Sequence, residues 1–273
     1  MRLKLKEKKN RRILNREIEM YFAKEFQYKG QMVAWILADI LKIVGLCFIW
    51  LMSSKINGNV EQRYVVTYYI LIMLVSKFTS DYTIEHGVRN ILDGRFSNFL
   101  LKPFNYLLEY LGINIGGNVL RVILFLPAFF LGIFIAWQNN LWIMNFNIHS
   151  TFLGLVAILI GFLISFFIGN IISLIAIKIK EMDSIRIFFY NIASLLSGEF
   201  IPLVFLSGFA RKIFILLPFR YTLSFPVEVL IGKIDPQESL LGFFIAIIWL
   251  IILFIGYKLI YRKGIRRYEA EGI

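Results

Sequence analysis

Apolar residues fall along this chain in long, nearly unbroken runs separated by short polar segments. Crossing roughly 30 Å of hydrocarbon takes about 20 apolar residues in a helix. Six stretches come close to that length: 31–53, 64–80, 113–136, 151–177, 185–207 and 238–260. The second is short. The fifth is interrupted by "SGEFIPLVF", where Glu199 and Pro202 stand in a run that ought to continue straight. Trp50, Tyr64, Trp137, Trp142, Tyr257 and Tyr261 fall near the ends of these runs, where amphipathic rings favour the headgroup region. The pattern predicts an all-α integral membrane protein whose six transmembrane helices occupy residues 31–260.

Two further segments are amphipathic rather than continuously apolar. In "RRILNREIEMYFAKEFQYKG" the positions Leu14, Ile18, Tyr21, Phe22 and Phe26 recur at helical spacing with charges between them. That predicts an interfacial helix on the inner membrane surface within residues 1–30. Residues 81–112 form the longest inner loop. There Ile84, Val88, Ile91 and Leu92 share one stripe, Asp93-Gly94 reads as a helix stop, and Pro103 marks a second boundary. Such a stripe requires a partner or the bilayer interface, and no segment of the chain offers itself as that partner. Later, "LLPFRYTLSFPVEVLIGK" stays apolar but is too short and too broken by Pro218 and Pro226 to span. Residues 208–236 are therefore expected to hold re-entrant helices before the last span.

Composition and charge orient this pattern. The 273 residues are 58% hydrophobic and 16% aromatic, with mean hydropathy +0.70, too much apolar surface for water alone to be the solvent. Ten of the 30 Lys and Arg residues lie in the first thirty positions and five follow Tyr257. Clustering at the flanks fits cytoplasmic segments facing anionic lipid and argues against a nucleic-acid partner. With both ends inside, the inner segments and Arg186 hold 21 Lys and Arg, and the outer segments hold six. Both termini, including the tail at 261–273, are thus expected in the cytoplasm of a cell whose plasma membrane holds the chain. The first apolar run exceeds a signal-peptide core and no cleavage site follows it, so it is expected to stay in the mature protein.

Candidate chemistry is sparse. No phosphate-cradling G-x-x-x-x-G-K-[ST], no G-x-S-x-G, no H-E-x-x-H and no paired C-x-x-C occurs. With Cys47 alone and only His86 and His149, neither a metal site nor an active site is expected. Charges inside the apolar runs are costly and often functional. Asp39 and Lys42, three residues apart on one helix face, can neutralise each other, as a structural pair or within a substrate path. Lys77 and Arg121 lie near inner ends of their runs and read as snorkelling anchors. Glu199 has no basic residue one turn away. It either faces a water-filled path or pairs with another helix or subunit, beside a proline that removes a backbone hydrogen bond.

With these residues in view, the chain resembles the permease subunits of type 2 ABC exporters, in the branch where a small six-span permease is encoded apart from its ATPase. The matching stretches are "LDGRFSNFLLKPFN" and "SGEFIPLVFLSGFARKIFILLPFRYTLSFPVEVLIGK", about fifty positions in all. The first carries Gly94, Leu100, Leu101, Lys102 and Pro103. The second carries Ser197, Gly198, Phe200, Pro202 and Leu203, then Leu217, Pro218, Phe219, Tyr221, Pro226, Gly232 and Lys233. Ser207 departs from the pattern, which often has proline there.

The resemblance implies a permease that dimerises with an identical or similar permease and binds two ABC ATP-binding subunits. ATP and Mg would sit on those subunits, and this chain would bind no cofactor. A coupling helix in the first cytoplasmic loop would pass their motion to the spans, which makes Ile84, Val88, Ile91, Leu92, Gly94, Leu101 and Pro103 the docking candidates. Aromatic and branched spans with few charges suit an amphipathic or lipid-like cargo, with Asp39, Lys42, Glu199 and Pro202 as candidates for the substrate path or dimer interface. Two other classes compete. An ion-gradient-driven transporter or channel would use Asp39, Lys42 and Glu199 without an ATPase, and a membrane acyl- or glycosyltransferase would need a polar catalytic cluster at the interface.

The charge asymmetry makes topology testable. In a background lacking Cys47, cysteines placed at Asn57 and Asn140 are expected to react with an impermeant thiol reagent from outside, and cysteines at Asp93 and Glu269 are not. Outside labelling at position 93 would overturn the arrangement.

Overall fold

The computed structural model describes residues 14–16, 18–20, 22–23, 29–57, 60–97, 106–144, 147–179 and 181–266. Regular structure among the described residues is helical throughout, with no strand. The principal helices are α1 (Lys29–Asn57), α2 (Gln62–Thr79), α3 (Thr83–Leu92), α4 (Tyr106–Gln138), α5 (Ile148–Ile175), α6 (Asp183–Leu196), α7 (Gly208–Leu216), α8 (Ser224–Ile231) and α9 (Pro236–Ile265). Four of them, α1, α4, α5 and α9, are long and apolar enough to cross a membrane.

Local chemistry explains several boundaries. The Asn147 side chain accepts from His149 N–H at 3.1 Å at the start of α5, and Asp235 accepts from Gln237 N–H at 3.2 Å ahead of Pro236 in α9. These are side-chain N-caps, the second followed by a proline whose missing N–H costs nothing in a first turn. Arg262 and Lys263 close α9, where the carbonyl end of the helix favours cations.

The two irregular candidates depart from a simple span. α2 is 18 residues long and mixes Tyr, Thr, Ser and Lys77 into its apolar sequence. It is packed on most sides, with Val65, Tyr68, Tyr69, Ile72 and Val75 almost fully buried. Of the run expected at 185–207, only the part to Leu196 is α-helical, in the 14-residue α6, about 21 Å long at 1.5 Å per residue. It stops before Pro202, at Gly198, whose φ of +88° an L side chain rarely adopts.

α5 is the hub. It packs against α9, α8, α3, α2 and the 3-10 turn Pro218–Thr222. One buried cluster gathers α3, α5, α9 and the start of α4 around Ile84, Tyr110, Ile164 and Tyr257. A second joins α1, α2, α4 and α8 around Ile43, Ile72, Phe125 and Val227. This corrects the reading of the 81–112 loop as lacking a partner within the chain. Ile84, Val88 and Ile91 are buried against that first cluster, and only Leu92, 42% exposed, points away. The amphipathic stripe finds its apolar cover in α5. Nearer the N-terminus, Leu14, Ile18 and Phe22 are half-buried helical positions, while Asn15, Arg16, Glu19 and Ala23 are exposed. Tyr21 and Phe26 lie outside the described residues.

The 3-10 turn Pro218–Thr222 reaches α5 because Gly161 has no side chain. A Cβ there would meet the Tyr221 carbonyl oxygen at 2.6 Å and Thr222 Cα at 3.3 Å. Gly161→Ala is therefore expected to lower the thermal unfolding midpoint, at an overpacking cost of about 1–3 kcal/mol. Gly45→Ala on α1, where a Cβ meets nothing within 4 Å, is expected to leave the midpoint unchanged or raise it. Equal midpoints for the two variants would contradict the packing described.

Candidate functional site

The site begins at the break after α6. Leaving the helix at Ser197–Phe200 frees carbonyls that need donors in apolar surroundings. Each finds one. Ser224 N–H donates to Ser197 O at 3.0 Å, Tyr68 Oη to Gly198 O at 2.9 Å, Tyr69 Oη to Glu199 O at 3.3 Å, and Trp50 Nε1 to Phe200 O at 2.7 Å. Gly198 fits where a Cβ would meet Ser224 Cβ at 2.6 Å and Tyr68 Oη at 2.8 Å. Pro202 comes after the turn and precedes a short 3-10 segment, Leu203–Phe205.

This turn aims Glu199 into a cavity of about 380 Å³ bounded by α1, α2, α3, α4, α5 and α6. Seven charged side chains line it: Asp39, Lys42, Lys77, Asp81, Glu85, Arg121 and Glu199. Lys42 Nζ lies 2.6 Å from Glu199 Oε1, and Lys77 Nζ lies 2.6 Å from Asp39 Oδ2. The expected Asp39–Lys42 pairing on one helix is thus replaced by two ion pairs that each tie α1 to another part of the chain. The physical reason is reach: both partners project from α1 toward elements that bring them an opposite charge at contact distance. Lys77 does not snorkel. It is 6% exposed, and its Nζ lies 4.3 Å from the Phe125 ring centroid. Arg121 stacks on Tyr82 at 4.4 Å, with Trp35 at 5.5 Å.

The floor beside α3 is built from residues the sequence reading passed over. Asn114 accepts from Tyr82 N–H at 2.8 Å and donates to Thr83 Oγ1 at 2.9 Å and Tyr110 O at 2.8 Å. Asn118 donates to Phe78 O at 3.0 Å and Ser80 O at 3.1 Å. Together they stitch the α2–α3 corner to α4. Two asparagines one turn apart in the apolar "GINIGGNVL" were the available signal. Asp81 accepts from Thr83 Oγ1 at 2.6 Å and from Ile84 N–H at 3.4 Å. Burial pushes its carboxyl up to about 7, against the opposing pull of those hydrogen bonds.

A second cavity, of about 450 Å³, lies under α7 and α8. Arg220 is 1% exposed there and reaches Glu228 at 2.7 Å and Glu238 at 3.3 Å, while Arg211 shares Glu238 and Lys233 holds Glu61 at 2.7 Å. Arg220 is one of the six Lys and Arg residues that the charge count assigns to the outer segments. Its place in "LPFRY", eight residues before Glu228 in an apolar stretch, was the missed signal.

Among the docking candidates, Gly94 takes φ +71° in the turn after α3, and Leu101 and Pro103 lie outside the described residues. No cluster of three metal-ligating side chains occurs among the described residues. The central cavity offers two ion pairs, the Arg121 guanidinium and hydroxyls, a setting that solvates a polar group inside an apolar bundle.

A family model described as "ABC-2 family transporter protein" matches residues 31–272. No curated protein matches the chain.

The two ion pairs differ in what they strand. Asp39→Asn leaves Lys77 buried without its anion, an expected loss of about 3 kcal/mol. Glu199→Gln leaves Lys42, whose side chain is 40% exposed, with an expected loss under about 1 kcal/mol. Thermal unfolding of the two purified variants should show the larger drop for Asp39→Asn, with partial recovery in Asp39→Asn/Lys77→Met. The reverse order would contradict the pairing.

Proposed function

This chain belongs to the ABC-2 family of transporter proteins, and from that premise we propose that it is the membrane-spanning permease subunit of an ATP-driven exporter. Membership itself makes it a membrane-embedded transport subunit of an ABC system. Beyond that, we read the 380 Å³ cavity as part of the translocation path for an amphipathic or lipid-like substrate. Six crossings are reached by counting α2 and the α6–break segment as the second and fifth. The 208–236 region is re-entrant, both termini are cytoplasmic, and residues 1–30 lie on the inner surface of the plasma membrane.

One observation carries the coupling: the corner into α3 and its first turn, through Asp81, Tyr82, Ile84 and Glu85, line the same cavity as Lys42, Lys77 and Glu199. A force on the outer face of α3 would act on that wall. Two ABC ATP-binding subunits, carrying ATP and Mg, would supply it. They would meet the face that folding leaves open, where Glu85, Arg89 and Leu92 are exposed. Ile84, Val88 and Ile91 on the opposite face would carry the movement into α5, with Gly94, Leu101 and Pro103 shaping the return of the loop.

A second permease, identical or similar, would close the chamber. Two of its walls are sparsely covered: α6 has no buried residue and, among the described side chains, α1 buries only Ile43 and Ser54. Their open faces are apolar, with Leu41, Phe48, Ile187 and Phe188 exposed.

The docking face supplies the test. A leucine buried in a partner's groove contributes roughly 1.5–3 kcal/mol, so Arg89→Glu/Leu92→Asp should release the ATP-binding subunits while the permease stays folded and membrane-inserted. Ile91→Asp should instead unfold the chain, because Ile91 is core. If the double variant retains its ATP-binding subunits in normal ratio and transports at the normal rate, this coupling assignment is wrong.

A further inference from the structure

The charges of the central cavity do not close on themselves. Lys42 and Lys77 each have a carboxylate at 2.6 Å, but none of the ion pairs among the described residues involves Arg121. Its guanidinium is held by aromatic faces alone, Tyr82 at 4.4 Å and Trp35 at 5.5 Å. Stacking of this kind fixes the plane of the group and leaves its edge of N–H donors free, the arrangement that receives a phosphate or carboxylate in two parallel hydrogen bonds. The other anions of the cavity do not fill that role. Glu85 is exposed, where water screens it. Asp81 turns its oxygens to Thr83 and Ile84, and with its carboxyl pushed up to about 7 by burial it is only partly ionised at neutral pH.

Arg121 also borders a second space. Between α1 and α4 it meets a crevice of only about 20 Å³, lined by Trp35, Ile36, Gly117, Leu124 and Phe125, which joins the cavity at Asp39 and Arg121. Outside the crevice the surface of the two helices is apolar: Val33, Leu37, Val119 and Ile123 are all exposed. A polar chamber and an apolar helix surface thus share one unpaired cation.

We propose that Arg121 is the receptor for the anionic headgroup of a lipid-type amphiphile, whose acyl chain lies along the exposed apolar faces of α1 and α4. The inference rests on reading the cavity as part of the transport path, and it names the class of molecule that the path accepts. Trp35, which lines the crevice and is 43% exposed, lies with its ring centroid 5.5 Å from the guanidinium. Phosphate and carboxylate heads satisfy the same donors; a head whose anion is masked by a neighbouring ammonium binds less well.

The test uses the full chain in phosphatidylcholine vesicles containing a photoactivatable diazirine-acyl lipid, either phosphatidylglycerol or phosphatidylcholine, with cross-linked peptides identified by mass. The phosphatidylglycerol probe should label the peptides around Trp35 and Leu124 roughly fivefold more than the phosphatidylcholine probe, the factor expected from one half-exposed charge pair. Arg121→Gln should bring the two probes level there, and Arg121→Lys should restore part of the preference. Equal labelling by both probes in the unaltered protein, or an unchanged preference in Arg121→Gln, overturns the proposal. In the complex with its ATP-binding subunits, labelling is expected to fall when ATP is added, as it must for an amphiphile on the transport path; labelling that persists marks a resident bilayer lipid and overturns the proposal. Release of the ATP-binding subunits by the α3 variants is read separately, so a failed headgroup preference leaves the permease assignment standing.

Discussion

Backbone carbonyls set loose in an apolar interior must find donors, and this requirement governs the turn at Ser197–Phe200. Leaving one such group unpaired costs roughly 2–7 kcal/mol, so four in a row would exceed the stability of most domains. The donors arrive from three elements: Trp50 on α1, Tyr68 and Tyr69 on α2, and Ser224 at the start of α8. The turn is therefore the junction at which α1, α2, α6 and α8 are registered to one another. The tyrosines are themselves fixed by ring contacts, Tyr68 edge-on to Tyr69 at 5.5 Å and stacked with Tyr64 at 5.9 Å. The placement of Glu199 follows from this bonding rather than from its charge.

The ion pairs then act on elements that packing holds only lightly. Among the described residues α1 buries two side chains and α6 none, so neither is fixed by a core of its own. Ion pairs in such places seldom stabilise more than apolar groups of equal volume would, because desolvation offsets most of the attraction. Their effect is geometric. Lys42–Glu199 fixes α1 against the turn, and Asp39–Lys77 fixes it against α2. Two pairs spaced three residues apart on one helix define both its height and its rotation. An apolar contact alone would let the helix slide or turn.

Much of the architecture was legible in the sequence, because helix length and apolar content are local properties. The four long runs became α1, α4, α5 and α9. The interruption expected at "SGEFIPLVF" falls at Gly198, ahead of Pro202: the helix has ended at Leu196, and the φ of +88° at Gly198 does not continue it. What sequence could not supply was pairing at a distance. Trp50 and Phe200 are 150 residues apart, and no spacing rule relates them. The same holds for Lys42 with Glu199. The amphipathic stripe of α3 was visible, but its cover was not, because α5 is so uniformly apolar that no face of it advertises a binding strip. Asn114 and Asn118 were legible in principle, since an amide one turn from another inside an apolar run must serve a backbone somewhere.

Those asparagines determine how a displacement of α3 can spread. The α2–α3 corner is bonded to α4 through Asn118 to Phe78 O and Ser80 O, and through Asn114 to Tyr82 N–H and Thr83 Oγ1. On its other side α3 buries Ile84, Val88 and Ile91 against the cluster centred on α5. Each of those side chains is worth roughly 1.5–3 kcal/mol while it stays buried. Sliding α3 alone would break the apolar contacts and the bonded corner together, whereas moving it with the inner halves of α4 and α5 breaks neither. The low-cost motion therefore carries α3 together with the inner halves of α4 and α5 and with α2, which is packed on both. Among the described residues buried side chains are fewest on α1 and α6, so a displacement of that block is taken up there, against the two ion pairs that hold α1.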